Sequence, residues 1–413
     1  MLAWIFTGLL ALAPTWADAQ LSFEQALSLA THDTPAVQAD TARIAALRAQ
    51  AIPADALPDP KLVVGLDNLP ITGRDSFSLS RDFMTMQKVG IQQAWTNRAK
   101  REARRHGAEA KIGTANATAL TTRLKLRRDA ALAWLEVYYA ERKLAALRDL
   151  SEENTRASHT VPGQVAAGAL DPVAALAPEI DTLELADRHE ALAAERDQAR
   201  VELARLIGAA AELPLSVSPP HIEVEPAHLR AHVQQHPELL EFASRLDEAR
   251  AAMTAAAADK RPDWDFEVAY AHRGPEYGDM ISAEVSIDLP LFAEHRQDPL
   301  IAARLQDLAA LEAERAQMLR DHAAALERGL VRHARDRQRL VRYQTQRLPL
   351  AKRRATLAAA AYAAGSIDLE TLLDTRGTLI ETRLELLDAT AAVTLSAADL
   401  YYTYEGGEHD AHE

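Results

Sequence analysis

The sequence predicts a mainly α-helical protein with a small β part, written as two tandem repeats. Three observations predict it. No proline interrupts the chain between Pro70 and Pro162, and from about Asn97 to Ser158 the good helix formers Ala, Leu, Arg, Glu and Lys dominate. Each half also holds short β-like runs, cleanly alternating in the second half. Finally, landmarks of the first half recur in the same order in the second.

Composition agrees with the helical reading. The 413 residues are 48% hydrophobic but only 5% aromatic, and much of the apolar share is alanine, which suits close-packed helices better than a bulky core. The 16 glycines and 19 prolines are too few for a disordered or fibrous chain. Absent cysteine excludes a disulfide scaffold, a thiolate metal site and a cysteine nucleophile. A formal charge of −14 argues against nucleic acid as a partner, since phosphate-backbone binding rests on clustered Lys and Arg.

In chain order, the first element is an address. The apolar stretch Leu2 to Ala13 precedes Pro14 and the small-x-small triplet Ala17-Asp18-Ala19, the layout of a secretory signal peptide (residues 1–19) cleaved before Gln20. No Lys or Arg precedes its apolar core, and with Gln at position 20 no lipidated cysteine follows cleavage. No later run of about 18 apolar residues predicts a membrane-spanning helix. An exported chain without a helical anchor is either soluble or a membrane β-barrel.

The repeats follow. Pro35 matches Pro237 and Pro60 matches Pro262, both at offset 202. Val89-Gly90-Ile91-Gln92 matches Val285-Ser286-Ile287-Asp288 at offset 196, and Ala167-Gly168-Ala169-Leu170-Asp171 matches Ala364-Gly365-Ser366-Ile367-Asp368 at offset 197. Each copy reads helix, strand, loop, strand, very long helix, tight turn, long helix. The first copy spans 20–211 and the second 227–404. Between them lies an extended connector, 212–226, with four prolines, and a polar tail rich in His and acids occupies 405–413.

The helices are expected to be long. Sixty residues at 1.5 Å rise make ~90 Å, about three times a small domain's diameter. The counterpart in the second copy runs from about Pro299 to Ala363, with one interruption at Pro349. The return helix carries Leu372, Leu379, Leu386, Val393 and Leu400 at a spacing of seven, with Leu373, Ile380 and Leu387 alongside. A sustained seven-residue period predicts a left-handed supercoil of packed helices.

The strands of the second copy alternate. Trp264, Phe266, Val268 and Tyr270 take one face against Asp263, Asp265, Glu267 and Ala269; Ile281, Ala283, Val285, Ile287 and Leu289 oppose Ser282, Glu284, Ser286 and Asp288. About ten residues is the length a tilted membrane strand needs, and Trp95, Trp264 and Tyr277 suit its aromatic girdles. A half-buried soluble sheet has the same period. Four strands cannot close a barrel whose smallest form has about eight, so a membrane barrel would need several chains. The first copy's strands are less regular, with Gln87 and Lys88 flanking Val89.

Together, the export signal, the tandem helix–hairpin–helix–helix copies and the Ala-Gly turn in each copy resemble the outer-membrane factor (TolC-like) family, from Leu21 to Tyr404. The segments Asp59-Pro60-Lys61-Leu62 through Asp67-Asn68-Leu69-Pro70, and Met84-Thr85-Met86-Gln87-Lys88-Val89-Gly90-Ile91-Gln92-Gln93, look like the heavy-metal branch, which serves cobalt–zinc–cadmium or copper–silver export. The resemblance implies a homotrimer in outer-membrane lipid. Twelve strands would be shared in one β-barrel above a coiled helical tunnel, as part of a tripartite efflux system with a periplasmic membrane-fusion adaptor and an inner-membrane RND pump. It places adaptor docking at the helix tips: Gly168, Ala169 and Leu170 in the first copy, and Tyr362, Gly365, Ser366 and Leu369 in the second. It places an entrance acid at Asp374, and Ile367 stands where some tips carry a basic residue. If the barrel exists, Asp265, Glu267, Glu284 and Asp288 line its pore, and a wall of one sign attracts cations.

Other chemistry is thin. His228, His232 and His236 would share a face of one continuous helix, a spacing that can bind zinc but more often marks a solvated surface. His409 and His412 in the acidic tail could collect metal transiently. Gly-rich phosphate loops, a Gly-x-Ser-x-Gly elbow and His-Glu-x-x-His are all missing, so neither an enzyme nor a cofactor is expected. The readings carried forward are a passive metal-cation exit duct, an outlet for drugs or secreted proteins, and a periplasmic coiled-coil adaptor without a channel.

Overall fold

The computed structural model describes residues 20–32, 34–159, 176–216 and 218–404. The expected signal peptide, the first-copy tip (Gly168, Ala169, Leu170) and the tail with His409 and His412 lie outside these residues. The chain opens with α1 (Phe23–His32) and α2 (Pro35–Ala51), then β1 (Lys61–Asp67), β2 (Met86–Trp95), α3 (Arg98–Ser158) and α4 (Ala177–Ile207). The second copy gives α5 (Pro226–His232), α6 (Pro237–Ala258), β3 (Trp264–His272), β4 (Met280–Ile287), α7 (Gln297–Arg342), α8 (Leu348–Ala363) and α9 (Leu369–Tyr404). Among the described residues, no helix is long and apolar enough to cross a membrane.

Local chemistry sets the helix starts. At α1, Ser22 Oγ accepts the Gln25 N–H at 3.1 Å while Gln25 Oε1 accepts the Ser22 N–H at 3.0 Å, a reciprocal capping box. Pro226 and Pro237 open α5 and α6, where a missing N–H leaves no helix bond unmade. α3 then runs unbroken for 61 residues. Its counterpart does not. A π-helical turn at Tyr343–Arg347 separates α7 from α8, so the break lies just before Pro349 instead of on it. Proline has no N–H for the carbonyl four residues back and its ring crowds that turn, so the ladder widens there.

Contacts divide the chain into two compact units, and each takes corresponding lengths of both repeats: the described residues within 1–37, 122–234 and 322–413 form one, those within 38–121 and 235–321 the other. The first is helical. Its core centres on Trp134 of α3, fully buried, with Phe23 edge-on at 5.4 Å and Tyr138 stacked at 5.4 Å. Leu203 and Leu206 of α4 and Ala398 and Tyr402 of α9 complete it. Small residues let the helices approach: Ala389, Ala391, Ala397 and Ala398 are buried along α9, and a Cβ on Gly329 would lie 2.7 Å from Leu400 Cδ2. Leu372, Leu373, Ile380 and Leu400 of the expected stripes are buried, and Leu379, Leu386, Leu387 and Val393 are half-buried.

The second unit holds a four-stranded antiparallel sheet in the order β1-β2-β3-β4. Two hairpins from distant parts of the sequence therefore lie side by side, joined through β2 and β3. At the end of the sheet where β2 leads into α3, Asn97 Oδ1 caps the Lys100 N–H at 2.9 Å. Lys100 Nζ reaches Asp263 Oδ2 at 2.7 Å.

Candidate functional site

Register makes the sheet two-faced. Leu62 pairs with Ile91 and Val64 with Val89. Ile91 pairs with Val268, Val89 with Tyr270, and Trp95 with Trp264. Val268 pairs with Ala283, Phe266 with Val285 and Trp264 with Ile287. Directly opposed residues share a face, so these side chains form one apolar surface across all four strands. It is also the exposed surface: Val64 is 73% exposed, Val268 58% and Ile281 79%. The polar face is the sheltered one. Gly90, Ala269 and Ala271 are buried there, and Asp265, Glu267 and Lys88 are half-buried.

That arrangement inverts a soluble sheet. Small residues on the sheltered face bring β2 and β3 close together, and Gly90 is the tightest point of the sheet. A Cβ on Gly90 would meet Ala269 Cβ at 2.7 Å and Val268 O at 2.8 Å. Leu62, Val64, Leu66, Val89 and Ile91 complete the apolar face, although sequence alternation in the first copy had not marked them. Val63 and the glutamines at 87 and 93 interrupt the local pattern, and only pairing with β3 aligns it. Trp95, Trp264 and Phe266 cluster at one end of the strands, Trp95 edge-on to Phe266 at 6.4 Å and Trp264 stacked on it at 6.4 Å. Tyr277 lies in the β3–β4 loop under Arg273.

The expected acids divide. Asp265, Glu267 and Glu284 do share one face, the first two half-buried and Glu284 exposed on the edge strand β4. Asp288 follows β4, its N–H bonded to Asp263 O at 3.0 Å, beside Lys100 and Asp259 in a mixed-charge recess. The sheltered face is not of one sign, which corrects the expectation of a purely acidic wall. Lys88 of β2 pairs with Glu267, and Lys61 adds a second positive charge on the same face. Asp374 belongs to the other unit. Its side chain is 71% exposed, with Arg354 Nη2 at 3.7 Å. Burial, together with Glu184 and Asp374, pushes the Asp181 carboxyl above the usual carboxylate range.

The second-copy turn is built in full. Gly365 takes φ +71°, and the N–H groups of Ser366 and Gly365 return to Ala361 O and Tyr362 O, each at 2.9 Å. This closes α8 with the paired bonds that let glycine reverse a helix. Asp368 then caps α9 by accepting the Thr371 N–H at 2.8 Å, and its bonds from Thr371 hold its carboxyl below the usual range. Underneath, Leu369, Leu372 and Leu373 pack with Tyr362 and Ile367. Ile367 thus serves as a core residue of the turn.

The histidine expectation is corrected. α5 ends at His232 and a 3-10 turn follows, so no single helix carries all three. His228 and His232 stack with ring centroids 4.1 Å apart. His236 instead caps α6, accepting the Glu238 N–H at 3.3 Å. The break at Pro237 ends the periodicity on which the shared face depended.

Against known proteins, residues 229–403 match the family model of the outer membrane efflux protein. No curated protein matches the sequence. Among solved structures, the chain is similar to CusC, in crystal structures concerned with folding and transmembrane channel formation. There the TM-score is 0.80 and identity 17%, covering 96% of each chain. It is similar to the Campylobacter jejuni CmeC outer membrane channel at TM-score 0.77 and 11% identity, covering 93% of this chain and 86% of that one. For the Vibrio cholerae outer membrane protein VceC the values are 0.74 and 16%, covering 92% and 95%. The fold is that of these channels, and the matched family is one of channels, not enzymes.

Proposed function

We propose that the whole chain, and not only the part matched at residues 229–403, is an outer membrane efflux protein: one subunit of a trimeric channel in a tripartite efflux system, passive itself and driven by a partner pump. The observation that carries this reading is the inverted sheet. An apolar face that is exposed and a polar face that is sheltered suit a wall between lipid and water. In water, such a surface with two open strand edges would aggregate. The edges are the outer sides of β1 and β4, and three chains side by side would supply twelve strands to one closed barrel.

The cargo we infer is cationic, with heavy-metal ions as the first candidates. Carboxylates outnumber basic groups on the sheltered face, and the β1–β2 segment resembles the heavy-metal branch. The turn around Gly365 is the proposed docking point for a periplasmic adaptor, with Ser366 exposed on it, Tyr362 half-buried beside it and Leu369 holding it from underneath. Its counterpart around Gly168, Ala169 and Leu170 is proposed to dock equivalently.

The test deletes the gene and measures sensitivity to zinc, cobalt, cadmium, copper and silver beside a panel of antibiotics. Increased sensitivity to at least one metal is expected. Increased sensitivity to antibiotics alone would move the cargo to drugs. A mature protein that stays soluble without detergent and forms no heat-sensitive trimer would replace the channel with a periplasmic adaptor.

A further inference from the structure

The β3–β4 register sets Glu267 directly opposite Glu284. Like charges at that position repel, since opposed Cβ atoms in an antiparallel pair lie only about 4.5–5.5 Å apart. The neighbours on that face do not relieve them. Ala269, Ala271, Ser282 and Ser286 are small and uncharged, Asp265 carries the same sign, and Lys61 of β1 is set off from Glu267 by Gln92 between them. Relief comes from one strand over. Lys88 of β2 pairs with Glu267, and the two side chains are only 20% and 17% exposed.

Two opposed carboxylates are also what a divalent cation needs. Oxygen ligands of hard cations converge at about 2.0–2.6 Å, within reach of facing glutamates. Lys88 puts an ammonium against one of them, and because it is covalently tethered it cannot diffuse away. We infer that Lys88 is a specificity-determining residue of the pore: a built-in counter-ion at Glu267 and Glu284 that keeps the wall attractive to cations without letting a divalent cation lodge there. This rests on the channel reading above. Transport requires a wall that cations enter readily and leave readily, and a carboxylate pair without its ammonium would hold them too well.

The experiment records single channels of the full mature protein in planar bilayers with potassium chloride, adding cadmium or zinc. Wild type is expected to conduct with little block. K88Q is expected to be blocked at a concentration lower by about ten-fold or more, the scale on which a single-signed site concentrates counter-ions. Adding E284Q to K88Q should restore wild-type insensitivity, and K88R should keep it. K88Q channels that conduct and block like wild type would overturn the inference while leaving the channel intact. If K88Q does not assemble, the exchange K88E/E267K keeps the pair and places a second acid by Asp67; block unchanged from wild type in that variant supports the inference, and block as strong as that expected of K88Q overturns it. Wild-type protein that forms no pore overturns the channel reading itself and this inference with it.

Discussion

Asp263 Oδ1 accepts both the backbone N–H and the side-chain amide of Asn97, each at 2.8 Å, across 166 residues of sequence. Asn97 also caps α3, whose first turn contains no acid of its own. Asp263 therefore brings a negative charge from the start of β3 to the positive end of the α3 dipole. The same carboxylate binds Lys100, so one residue ties a hairpin of the second copy to a helix of the first.

Replacing Asp263 with Ala should weaken this junction by about 1 kcal/mol or somewhat more, because partly buried donors lose their partner. Its pH dependence has a sign. Burial alone would raise the Asp263 pKa, but the Asn97 N–H and Lys100 ammonium outweigh it and hold it below the usual range. Its stabilisation is therefore full above the unfolded value of about 4 and is lost as pH falls through the folded one. Thermal unfolding followed from pH 7 to pH 3 should fall more steeply in wild type than in D263N; parallel curves would remove Asp263 from the account.

Gly90→Val should prevent β2 from closing on β3. The added Cβ meets Ala269 Cβ at 2.7 Å and the Val268 carbonyl at 2.8 Å, and backbone cannot swing aside as a flexible side chain can. Overpacking of this kind costs about 1–3 kcal/mol or more. Gly65→Ala is the control, since its nearest neighbour is Asp67 Oδ1 at 3.8 Å. Heat-modifiable migration on a gel should be lost in the first variant and kept in the second.

Gly365→Val places a β-branched residue at φ +71°. The left-handed conformation costs a non-glycine residue about 1–2 kcal/mol. Gly365→Asn should be milder, because asparagine tolerates that region. If the turn docks an adaptor, Val should lower cross-linking to it well below Asn while outer-membrane assembly stays near wild type. Equal cross-linking in all three proteins would separate the turn from docking.

Trp134→Ala should destabilise the helical unit by about 3–5 kcal/mol, the range for removing a large aromatic from a core. The indole also donates Nε1–H to Leu21 O at 3.3 Å, a carbonyl that keeps the Ser216 N–H at 3.2 Å when the indole is removed. Trp134→Phe keeps much of the volume and should lose less than half as much in denaturant titration. Similar losses would mean that the hydrogen bond, and not packing, dominates.

The sequence by itself determined the long helices, the glycine turn at Gly365 and the two-faced strands of the second copy. Each of these is written in local spacing: 3.6 or 3.5 residues for a helix, two for a strand, a glycine where φ turns positive. Local spacing misplaced the break at Pro349 by a few residues, because a π turn can take up the ring's strain before the proline. It also joined His236 to His228 and His232, across a helix end that Pro237 creates. Only tertiary structure decided how the copies meet. Pairing β2 with β3 aligned Leu62, Val64, Val89 and Ile91 with the apolar face of the second copy, and set Lys88 against Glu267. Register between strands some 180 residues apart is fixed by ladder hydrogen bonds and by which face is sheltered, and a slip of one residue would send every side chain to the opposite face. That register brings Lys88 of the first copy to Glu267 of the second, an ion pair that no local spacing announces.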